Sequence, residues 1–376
     1  MSKIIVLGAG MVGRAMAFDL SKKHEVTSAD INTEALAKAS RDGKIITIQQ
    51  NLKDTEKLAR LVADFDLVVS AVPGFMGFET LKTIISCGKN FVDISFLPED
   101  ILQLNELAKK NKVIGIADMG VAPGMPNLIA GYHYAQMKIT DFEYMVGGLP
   151  KARVLPFQYK APFSPVDVIE EYTRPARYVE NGHIITRPAM SDSEFINFKE
   201  VGTLEAFNTD GLRSLIYTLS EIPNMKEKTL RYPGHISLIR AFQESGFFSH
   251  TPVKINNTEV SPFDFTTKLL FDKWKLGDEE AEFTIMRVIV TGEEKGKEKK
   301  ITYDLYDEYD PGDKISSMSR TTGFTGTAGA ELILRGLFTE KGVFPPESVG
   351  KISDCFNFVL DYLKERKVIY KVTEEV

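Results

Sequence analysis

The sequence predicts an α/β protein in which a doubly wound parallel sheet is followed by a second domain of the α+β class. Strand-like and helix-like segments alternate over roughly the first 120 residues, a pattern that gives a parallel sheet with helices on both faces. A short apolar strand at the start runs directly into a glycine-rich turn. After residues 120–126, which hold two glycines and two prolines, the alternation stops, and we expect a hinge into the second domain.

The glycine-rich turn is Gly8-Ala9-Gly10-Met11-Val12-Gly13, and it joins the strand at residues 4–7 to a helix with an apolar stripe. In this pattern Gly8 permits the tight turn, Gly10 lets a pyrophosphate approach the backbone, and Gly13 lets the helix pack closely on the strand. Free N–H groups at the start of the helix then bind the phosphates. The turn, its strand and its helix together indicate a Rossmann-type sheet that binds a dinucleotide.

An acidic residue at the end of the second predicted strand, residues 25–29, indicates which dinucleotide binds. Asp30 follows the glycines by about 20 residues, where a carboxylate binds the ribose 2′-hydroxyl and repels a 2′-phosphate. Residues 31–33, which begin with Ile31, include neither Arg nor Lys to bind such a phosphate. The sequence therefore predicts that Asp30 and Ile31 contact NAD, and NADP is the less favoured alternative.

The rest of the first domain continues the alternation. Predicted strands cover residues 44–48, 67–69, 90–94 and 113–117, and predicted helices cover residues 33–41, 55–63, 78–86 and 101–110. Ligands of such sheets bind at the carboxyl ends of the strands. The residues that we expect to contact the cofactor there are Asn51 and Leu52 beside the adenine, Ser70, Ala71, Val72 and Pro73 along its middle, and Asp93, Asp118 and Met119 toward the nicotinamide.

The second domain mixes strands and helices without a regular alternation. Asn181-Gly182 predicts a hairpin because it separates two strand-like segments. Helices are predicted at residues 212–219, 236–242 and 265–274, long strands at 283–291 and 300–306, a tight turn near 319–326, and final helices at 328–337 and 353–364. We therefore predict an NAD-binding domain over residues 1–121, a substrate and dimerisation domain over residues 122–323, and a return of residues from about 324 to 376 to the first domain.

Composition and charge limit the classes of function. The net charge of −6 argues against a nucleic-acid partner, and no apolar run approaches the ~20 residues of a membrane span. Cys87 and Cys355 show neither metal nor redox spacing, and the chain enters its first strand without a signal peptide, which fits a cytoplasmic protein. Long exposed strands in the second domain favour a homodimer.

Five polar clusters of the second domain lie in apolar or glycine-containing surroundings and are candidates for chemistry. They are Tyr159-Lys160 with Ser164-Pro165, Tyr172-Thr173-Arg174-Pro175, Phe207-Asn208-Thr209-Asp210-Gly211, Leu230-Arg231-Tyr232-Pro233-Gly234-His235, and residues 320–326. Any one of these residues, taken alone, is more often structural, for example as a capping Asp or a surface Arg.

Several of these motifs together resemble the saccharopine dehydrogenase-like family. The resemblance is carried by the glycine turn, residues 70–73, residues 118–124 (DMGVAPG), Thr209-Asp210-Gly211 and residues 230–235 (LRYPGH), and it extends to the helix after Gly326. Within the family it is closest to the lysine 6-dehydrogenases, although Asn208 stands where an aromatic residue is expected. It implies that NAD oxidises the ε-amine of L-lysine to an imine, which gives allysine and then its cyclic form, piperideine-6-carboxylate.

That implied reaction requires a base and a receptor for the amino-acid head group. A lysine amine titrates near pH 10.4, and it must be neutral before hydride can leave its carbon. The candidate bases are His235, Lys160 and Asp118, of which His235 titrates in the most suitable range. The candidate substrate-binding residues are Arg231, Arg174 and Arg320 for the α-carboxylate, Asp210 for the α-ammonium, and Tyr232 and Thr325 beside them. No metal is expected, because NAD supplies the hydride chemistry.

Two other functions remain open from the sequence. One is a reductase of the same family that joins an amino acid to a semialdehyde, as in saccharopine or carboxynorspermidine formation, and the three arginines are compatible with its second carboxylate. The other is a dinucleotide-binding subunit without catalytic activity, in which the polar clusters are structural.

Overall fold

The computed structural model describes residues 1–40, 43–161 and 165–375, and for residues 165–167 it describes the backbone alone. Two predictions fall outside the described residues: the end of the second helix at Arg41 and the serine of Ser164-Pro165. Eighteen strands and thirteen α-helices are assigned within the described ranges.

The strands are β1 Lys3–Leu7, β2 Glu25–Asp30, β3 Ile45–Gln49, β4 Leu67–Ser70, β5 Asn90–Asp93, β6 Ile114–Ile116, β7 Lys138–Pro150, β8 Ala176–Glu180, β9 His183–Arg187, β10 Glu194–Phe198, β11 Gly202–Asn208, β12 Asn224–Arg231, β13 Val253–Ile255, β14 Thr258–Val260, β15 Glu282–Glu294, β16 Lys297–Glu308, β17 Gly342–Phe344 and β18 Tyr370–Glu375. The helices are α1 Met11–Ser21, α2 Thr33–Ala39, α3 Thr55–Val62, α4 Gly74–Ser86, α5 Asn105–Lys110, α6 Met125–Tyr134, α7 Pro165–Thr173, α8 Leu215–Thr218, α9 His235–Glu244, α10 Pro262–Trp274, α11 Ser317–Leu334, α12 Pro346–Gly350 and α13 Ser353–Glu365.

The first sheet is the doubly wound parallel sheet that the sequence predicts. Its strand order is β17-β6-β5-β4-β1-β2-β3, and every neighbouring pair is parallel. The chain moves from β1 outward to β3 and then crosses to β4 on the other side of β1, so the order reverses between β1 and β4. A crevice forms at such a switch point, outside the carboxyl ends of the two strands, and that is where ligands of this fold bind.

The second sheet is a nine-stranded mixed sheet in which β7 is central. β7 pairs in parallel with β12 and antiparallel with β15, which continues through β16 to β18. Because side chains alternate along a strand, β7 buries Phe142 and Tyr144 on one face and Met145 and Leu149 on the other. The first face packs on α6, and the second packs on α7, α9 and α10.

The last part of the chain contributes to both sheets. β17 pairs with β6 at one edge of the first sheet, and β18 pairs with β16 in the second. Within the described residues, no helix combines the length and the apolar character that a bilayer crossing requires.

The prediction of a tight turn near residues 319–326 is wrong, because helix α11 continues through these residues without interruption. The glycines of α11 instead let the helix pack closely on its neighbours. A Cβ on Gly326 would lie 2.6 Å from Met16 Cε, and one on Gly329 would lie 3.0 Å from Met119 Cγ. Together with Gly323, whose added Cβ would lie 3.1 Å from Met16 Cγ, these glycines are spaced three residues apart and mark the helix face that lies against α1 and the first sheet.

Candidate cofactor and substrate cleft

A cleft of about 870 Å³ begins at the carboxyl ends of β1 and β4 and extends to the second sheet. The glycine turn, Asp30 and residues 71–76 line one end of it. Glu171, Thr229 and Arg231 line the other end. The two domains therefore contribute to one continuous cleft, and its ends differ in chemistry.

The glycine turn has the geometry that a pyrophosphate requires. Gly8 has a φ of +101°, and a Cβ there would lie 2.5 Å from the Ala71 carbonyl oxygen; a Cβ on Gly13 would lie 2.0 Å from the Gly8 carbonyl oxygen. Gly10 is the N-cap of α1 and has no side chain to cap the helix, and apart from its chain neighbours no protein atom lies within 4 Å of the position of a Cβ there. The first N–H groups of α1 thus face open space, where an anion can bind.

The Asp30 carboxylate is held in place at the same end of the cleft. Its Oδ2 accepts a hydrogen bond from the Ala9 N–H at 2.7 Å, and its Oδ1 accepts one from the Asn32 N–H at 2.8 Å. Each carboxylate oxygen has a second lone pair, so both can still accept from ribose hydroxyls. This end therefore fits the pyrophosphate and adenosine ribose of a dinucleotide.

Most of the predicted cofactor residues lie in the wall of the cleft, namely Gly8, Gly10, Met11, Val12, Gly13, Asp30, Ile31, Asn51, Leu52, Ala71, Val72 and Pro73. Ser70, Asp93 and Met119 do not, because all three are completely buried behind the wall. Asp93 accepts hydrogen bonds from the Ser95 N–H and hydroxyl, and its burial raises its pKa to about 7. Asp93 thus supports Ser95, which does line the cleft.

The second-domain end of the cleft presents a cation and an anion side by side. Arg231, only 2% exposed, donates from Nη2 to Glu171 at 2.6 Å, and both residues line the cleft. Its Nε donates to the Tyr172 hydroxyl at 2.9 Å, and its guanidinium lies 4.5 Å from the centre of the Tyr159 ring. A planar guanidinium next to a carboxylate suits the carboxylate and ammonium of an amino acid.

A side chamber of about 60 Å³ adjoins the cleft and shares Phe96, Pro123 and Thr229 with it. Its own wall includes Glu227, a residue 5% exposed, whose pKa is raised to about 8 by burial. Two further predicted residues, Arg174 and Asp210, line this chamber. Arg174 is paired with Glu170, and Asp210 accepts from the Arg177 guanidinium at 2.9 Å, so each is in an ion pair, as Arg231 is.

The structure contradicts the prediction that His235 reaches the cleft. Its side chain is 1% exposed and lies behind Arg231 and Tyr172. Nδ1 donates to the Phe157 carbonyl at 2.9 Å, because a carbonyl can only accept. Nε2 therefore accepts from the Tyr172 hydroxyl at 3.0 Å, and the ring is neutral. Burial, together with the nearby Arg231 charge, lowers the His235 pKa to about 3.

The other two predicted bases are also engaged elsewhere. Lys160 Nζ lies 3.4 Å from the Lys275 carbonyl oxygen, outside the cleft wall. Asp118 is 5% exposed, and both of its oxygens lie 3.2 Å from the guanidinium of Arg213. This ion pair holds the Asp118 carboxylate against Arg213, and Asp118 lines neither the cleft nor the side chamber.

Three predicted substrate residues are likewise not in the cleft. Arg320 is on the side of α11 opposite to Met318 and Thr322, which line the cleft, and it is paired with Asp307 and Asp310. The Tyr232 hydroxyl donates to the Pro150 carbonyl at 3.0 Å, and the completely buried Thr325 donates to the Thr321 carbonyl at 2.7 Å within its own helix.

Sequence reasoning missed the two carboxylates of this end, Glu171 and Glu227. Glu171 immediately precedes the polar cluster that begins at Tyr172, and this position could have marked it as a candidate binding residue. Glu227 lies between Lys226 and Lys228 and resembles part of a solvated charged strand. Only the pairing of β12 with strands on both sides shows that it is buried.

The chain belongs to the saccharopine dehydrogenase family. The model of the saccharopine dehydrogenase C-terminal domain matches residues 120–369, and that of the saccharopine dehydrogenase NADP binding domain matches residues 4–116. The predicted family resemblance is thereby confirmed. A nicotinamide dinucleotide is supported as the cofactor class, although this description names NADP where the sequence predicts NAD.

Two named relatives match about two thirds of the chain at low sequence identity. The α-aminoadipic semialdehyde synthase of Arabidopsis thaliana is 25% identical over 295 residues, covering 68% of this chain and 28% of that protein. The saccharopine dehydrogenase [NADP(+), L-glutamate-forming] of Schizosaccharomyces pombe is 27% identical over 269 residues, covering 67% of this chain and 59% of that protein. The chain therefore spans between about 28% and 59% of the length of these two relatives.

Two comparisons extend over nearly the whole chain. The carboxyaminopropylagmatine dehydrogenase of Synechocystis is 20% identical over 378 residues and covers 93% of each chain. The solved structure of the apo saccharopine dehydrogenase (L-Glu forming) from Saccharomyces cerevisiae superposes with a TM-score of 0.82 at 18% identity and covers both chains completely. At that identity the superposition establishes the fold.

Proposed function

We propose that the protein is an NAD-dependent dehydrogenase that oxidises a carbon–nitrogen bond of an amino acid, with the ε-amine of L-lysine as its substrate. The observation that carries this proposal is the continuous cleft, which joins a dinucleotide-binding glycine turn to the Arg231–Glu171 pair. The family to which the chain belongs, and the dehydrogenase names of its relatives, support the reaction class.

In this proposal, separate residues of the cleft bind the substrate head group and exclude water from the reacting carbon. A bound nicotinamide supplies the hydride acceptor. Arg231 binds the α-carboxylate through its charge and the N–H of Nη1 that does not donate to the Leu230 carbonyl, and Glu171 binds the α-ammonium next to it. Apolar groups in the wall, including Phe96, Pro123 and Met318, exclude water from the reacting carbon.

The side chamber is large enough for the side-chain amine of lysine. About 60 Å³ accommodates an amine and a few carbons. One observation favours the second candidate, a dehydrogenase of a saccharopine-like secondary amine. The Arg174–Glu170 pair adjoins the Arg231–Glu171 pair, because Glu170 and Glu171 are consecutive residues of α7, and it provides a second cation–anion pair for a second head group.

A substrate screen separates these functions. The wild-type protein is mixed with NAD or NADP and with L-lysine, saccharopine or L-norleucine, and absorbance of the reduced cofactor is recorded. L-Lysine is expected to reduce NAD, whereas L-norleucine, which lacks the side-chain amine, is not. Reduction with saccharopine alone would favour the second candidate. Cofactor binding without reduction by either amine would favour a non-catalytic subunit.

The NAD preference is expected to depend on Asp30. Because its carboxylate is positioned for two ribose hydroxyls, Asp30→Ala should weaken NAD binding by ~1–3 kcal/mol. Asp30→Asn keeps the shape but removes the negative charge, so it should narrow the preference for NAD over NADP. Fluorescence titration with NADH and NADPH measures both effects.

Lys53 lines the cofactor end of the cleft, and it provides a test of the alternative that the protein prefers NADP. Arg14 and Lys38 are both paired with Asp278, whereas Lys53 lines the cleft near Asn51. Faster wild-type turnover with NADP than with NAD, lost in Lys53→Ala, would mean that Lys53 binds a 2′-phosphate and that the NAD assignment is wrong.

A further inference from the structure

We infer that Glu227 is the catalytic base, which binds the reacting ammonium of the substrate in the side chamber and accepts its proton. This inference rests on the proposed function, since it requires an amine that is oxidised in the adjoining cleft. It replaces the three bases that the sequence suggests, none of which lies in the wall of the cleft or chamber.

The side chain of Glu227 is fixed from one side. Its Oε2 accepts hydrogen bonds from the Thr209 hydroxyl at 2.6 Å and from the Gly211 N–H at 3.0 Å. A Cβ on Gly211 would lie 2.5 Å from the Glu227 carboxyl carbon, so only glycine allows this approach. Two members of the Thr209-Asp210-Gly211 motif therefore hold Glu227, and the third, Asp210, is bound to Arg177.

The position of Glu227 on its strand places it in line with the head-group receptor. Glu227, Thr229 and Arg231 alternate along β12, so their side chains are on one face of the sheet. Thr229 lines both the chamber and the cleft, Glu227 lines the chamber, and Arg231 lines the cleft. A lysine whose carboxylate contacts Arg231 can thus extend its amine along this face toward Glu227.

The groups around Glu227 set its pKa near neutral pH, where a catalytic base is effective. Burial raises its pKa to about 8, and the carboxylates of Glu171 and Asp210 act in the same direction, while the Thr209 and Gly211 hydrogen bonds oppose them. The chamber wall also holds Tyr144 from β7, whose pKa is raised well above 10 by burial so that it stays neutral, and the ion pair of Arg174 with Glu170. No cation is paired with Glu227 among the described residues, which leaves it available for an ammonium ion.

The proton step balances without another reactant. The Glu227 carboxylate takes one proton from the substrate R–CH₂–NH₃⁺, which breaks an N–H bond, forms an O–H bond and leaves R–CH₂–NH₂. The neutral amine then loses a hydride from carbon to the nicotinamide and becomes R–CH=NH₂⁺. The proton on Glu227 passes to solvent before the next turnover. A base with a pKa near the working pH is the most effective for such a transfer.

Proton release on ligand binding tests this inference without turnover. The protein is saturated with NADH, which prevents oxidation, and titrated at pH 7 with L-lysine by calorimetry in two buffers of different ionisation enthalpy. With a pKa of about 8, most Glu227 carboxyls are protonated at pH 7, so binding the ammonium ion should release more than about half a proton per site. Glu227→Gln should release almost none, and L-norleucine should release almost none from the wild type.

Glu227→Gln is a conservative change, because the amide oxygen can still accept from Thr209 and Gly211. It should lower kcat by ~10²–10⁴ with the substrate that the screen identifies. Thr209→Val removes a hydrogen bond that lowers the Glu227 pKa, so it should shift the acidic limb of the kcat/KM profile to higher pH. Glu331→Gln, at a buried carboxylate paired with His24 and Arg335, is the control and should retain the limb.

The outcomes separate this inference from the proposed function. If neither L-lysine nor saccharopine reduces the cofactor in the wild type, the proposed function is wrong. The assignment of Glu227 as its base is then wrong as well. If a substrate is found but Glu227→Gln keeps both the proton release and the acidic limb, the inference alone is wrong. Equal proton release with L-norleucine would mean that Glu227 contacts the α-ammonium, which also overturns the assignment.

Discussion

Arg231→Ala is expected to raise KM for the amino-acid substrate about 100-fold while lowering kcat much less. A hydrogen bond to a charged group contributes ~1.5–3 kcal/mol, and each ~1.4 kcal/mol is a factor of ten in affinity. The α-carboxylate does not react, so Arg231 binds it equally in the ground state and in the transition state. Loss of such uniform binding appears in KM. Steady-state kinetics with the substrate from the screen measures the change.

Arg231→Lys is the matched comparison, because it keeps the charge and loses the fork. We expect an intermediate KM, since Lys binds a carboxylate as a point charge.

Arg174→Ala then distinguishes a substrate with one head group from a substrate with two. A rise in KM as large as that of Arg231→Ala would indicate a saccharopine-like substrate, and an unchanged KM in Arg231→Ala would place the receptor elsewhere.

The cofactor end of the cleft could be predicted from the sequence because its determinants are local. The positive φ of Gly8 and the contact of Gly13 with the Gly8 carbonyl both arise within one strand–turn–helix unit, and Asp30 follows on the adjacent strand. Ser70 and Asp93 were misplaced for a geometric reason. They are the last residues of β4 and β5, but their side chains are directed into the protein, while the residues after them form the wall.

The substrate end could not be predicted in the same way, because it depends on contacts between distant segments. Arg231 and His235 are four residues apart, yet β12 ends at Arg231 and the chain reverses through Gly234 at a φ of +92°. His235 then begins α9 and is buried in the core instead of the cleft. Arg320 shows the same limitation, because its partners Asp307 and Asp310 decide that it is structural.

His235→Ala is expected to destabilise the protein by about 3 kcal/mol and to raise KM, without removing the acidic limb of the kcat/KM profile. The substitution leaves a cavity, removes the partner of the Phe157 carbonyl, and releases the Tyr172 hydroxyl that receives the Arg231 Nε–H. His235 is therefore a positioning residue that acts through Tyr172 on Arg231. Tyr172→Phe should raise KM similarly, and urea unfolding with steady-state kinetics measures both effects.

The pH dependence of stability gives this prediction a second readout. Burial lowers the His235 pKa from its usual 6.5 to about 3. As the pH falls, the imidazole therefore takes up its proton in the unfolded chain before it does so in the folded protein. This contribution is complete above pH 6.5 and is lost progressively as the pH falls toward 3. His235→Ala should therefore show a shallower loss of unfolding free energy over that range than the wild type. No such change in the acidic limb of catalysis is expected, because the ring is neutral wherever the enzyme works.

His133 is the matched control for that comparison. It is also buried, with a pKa lowered to about 4, but its ring bonds to Tyr303 at 2.8 Å on a face away from the cleft. His133→Ala should change the same stability slope and leave KM for the substrate at the wild-type value. A fall of ~10²–10⁴ in kcat together with loss of the acidic limb in His235→Ala would instead make His235 the base. In that case Glu227→Gln should retain its own acidic limb, and the two variants together assign the proton to one residue.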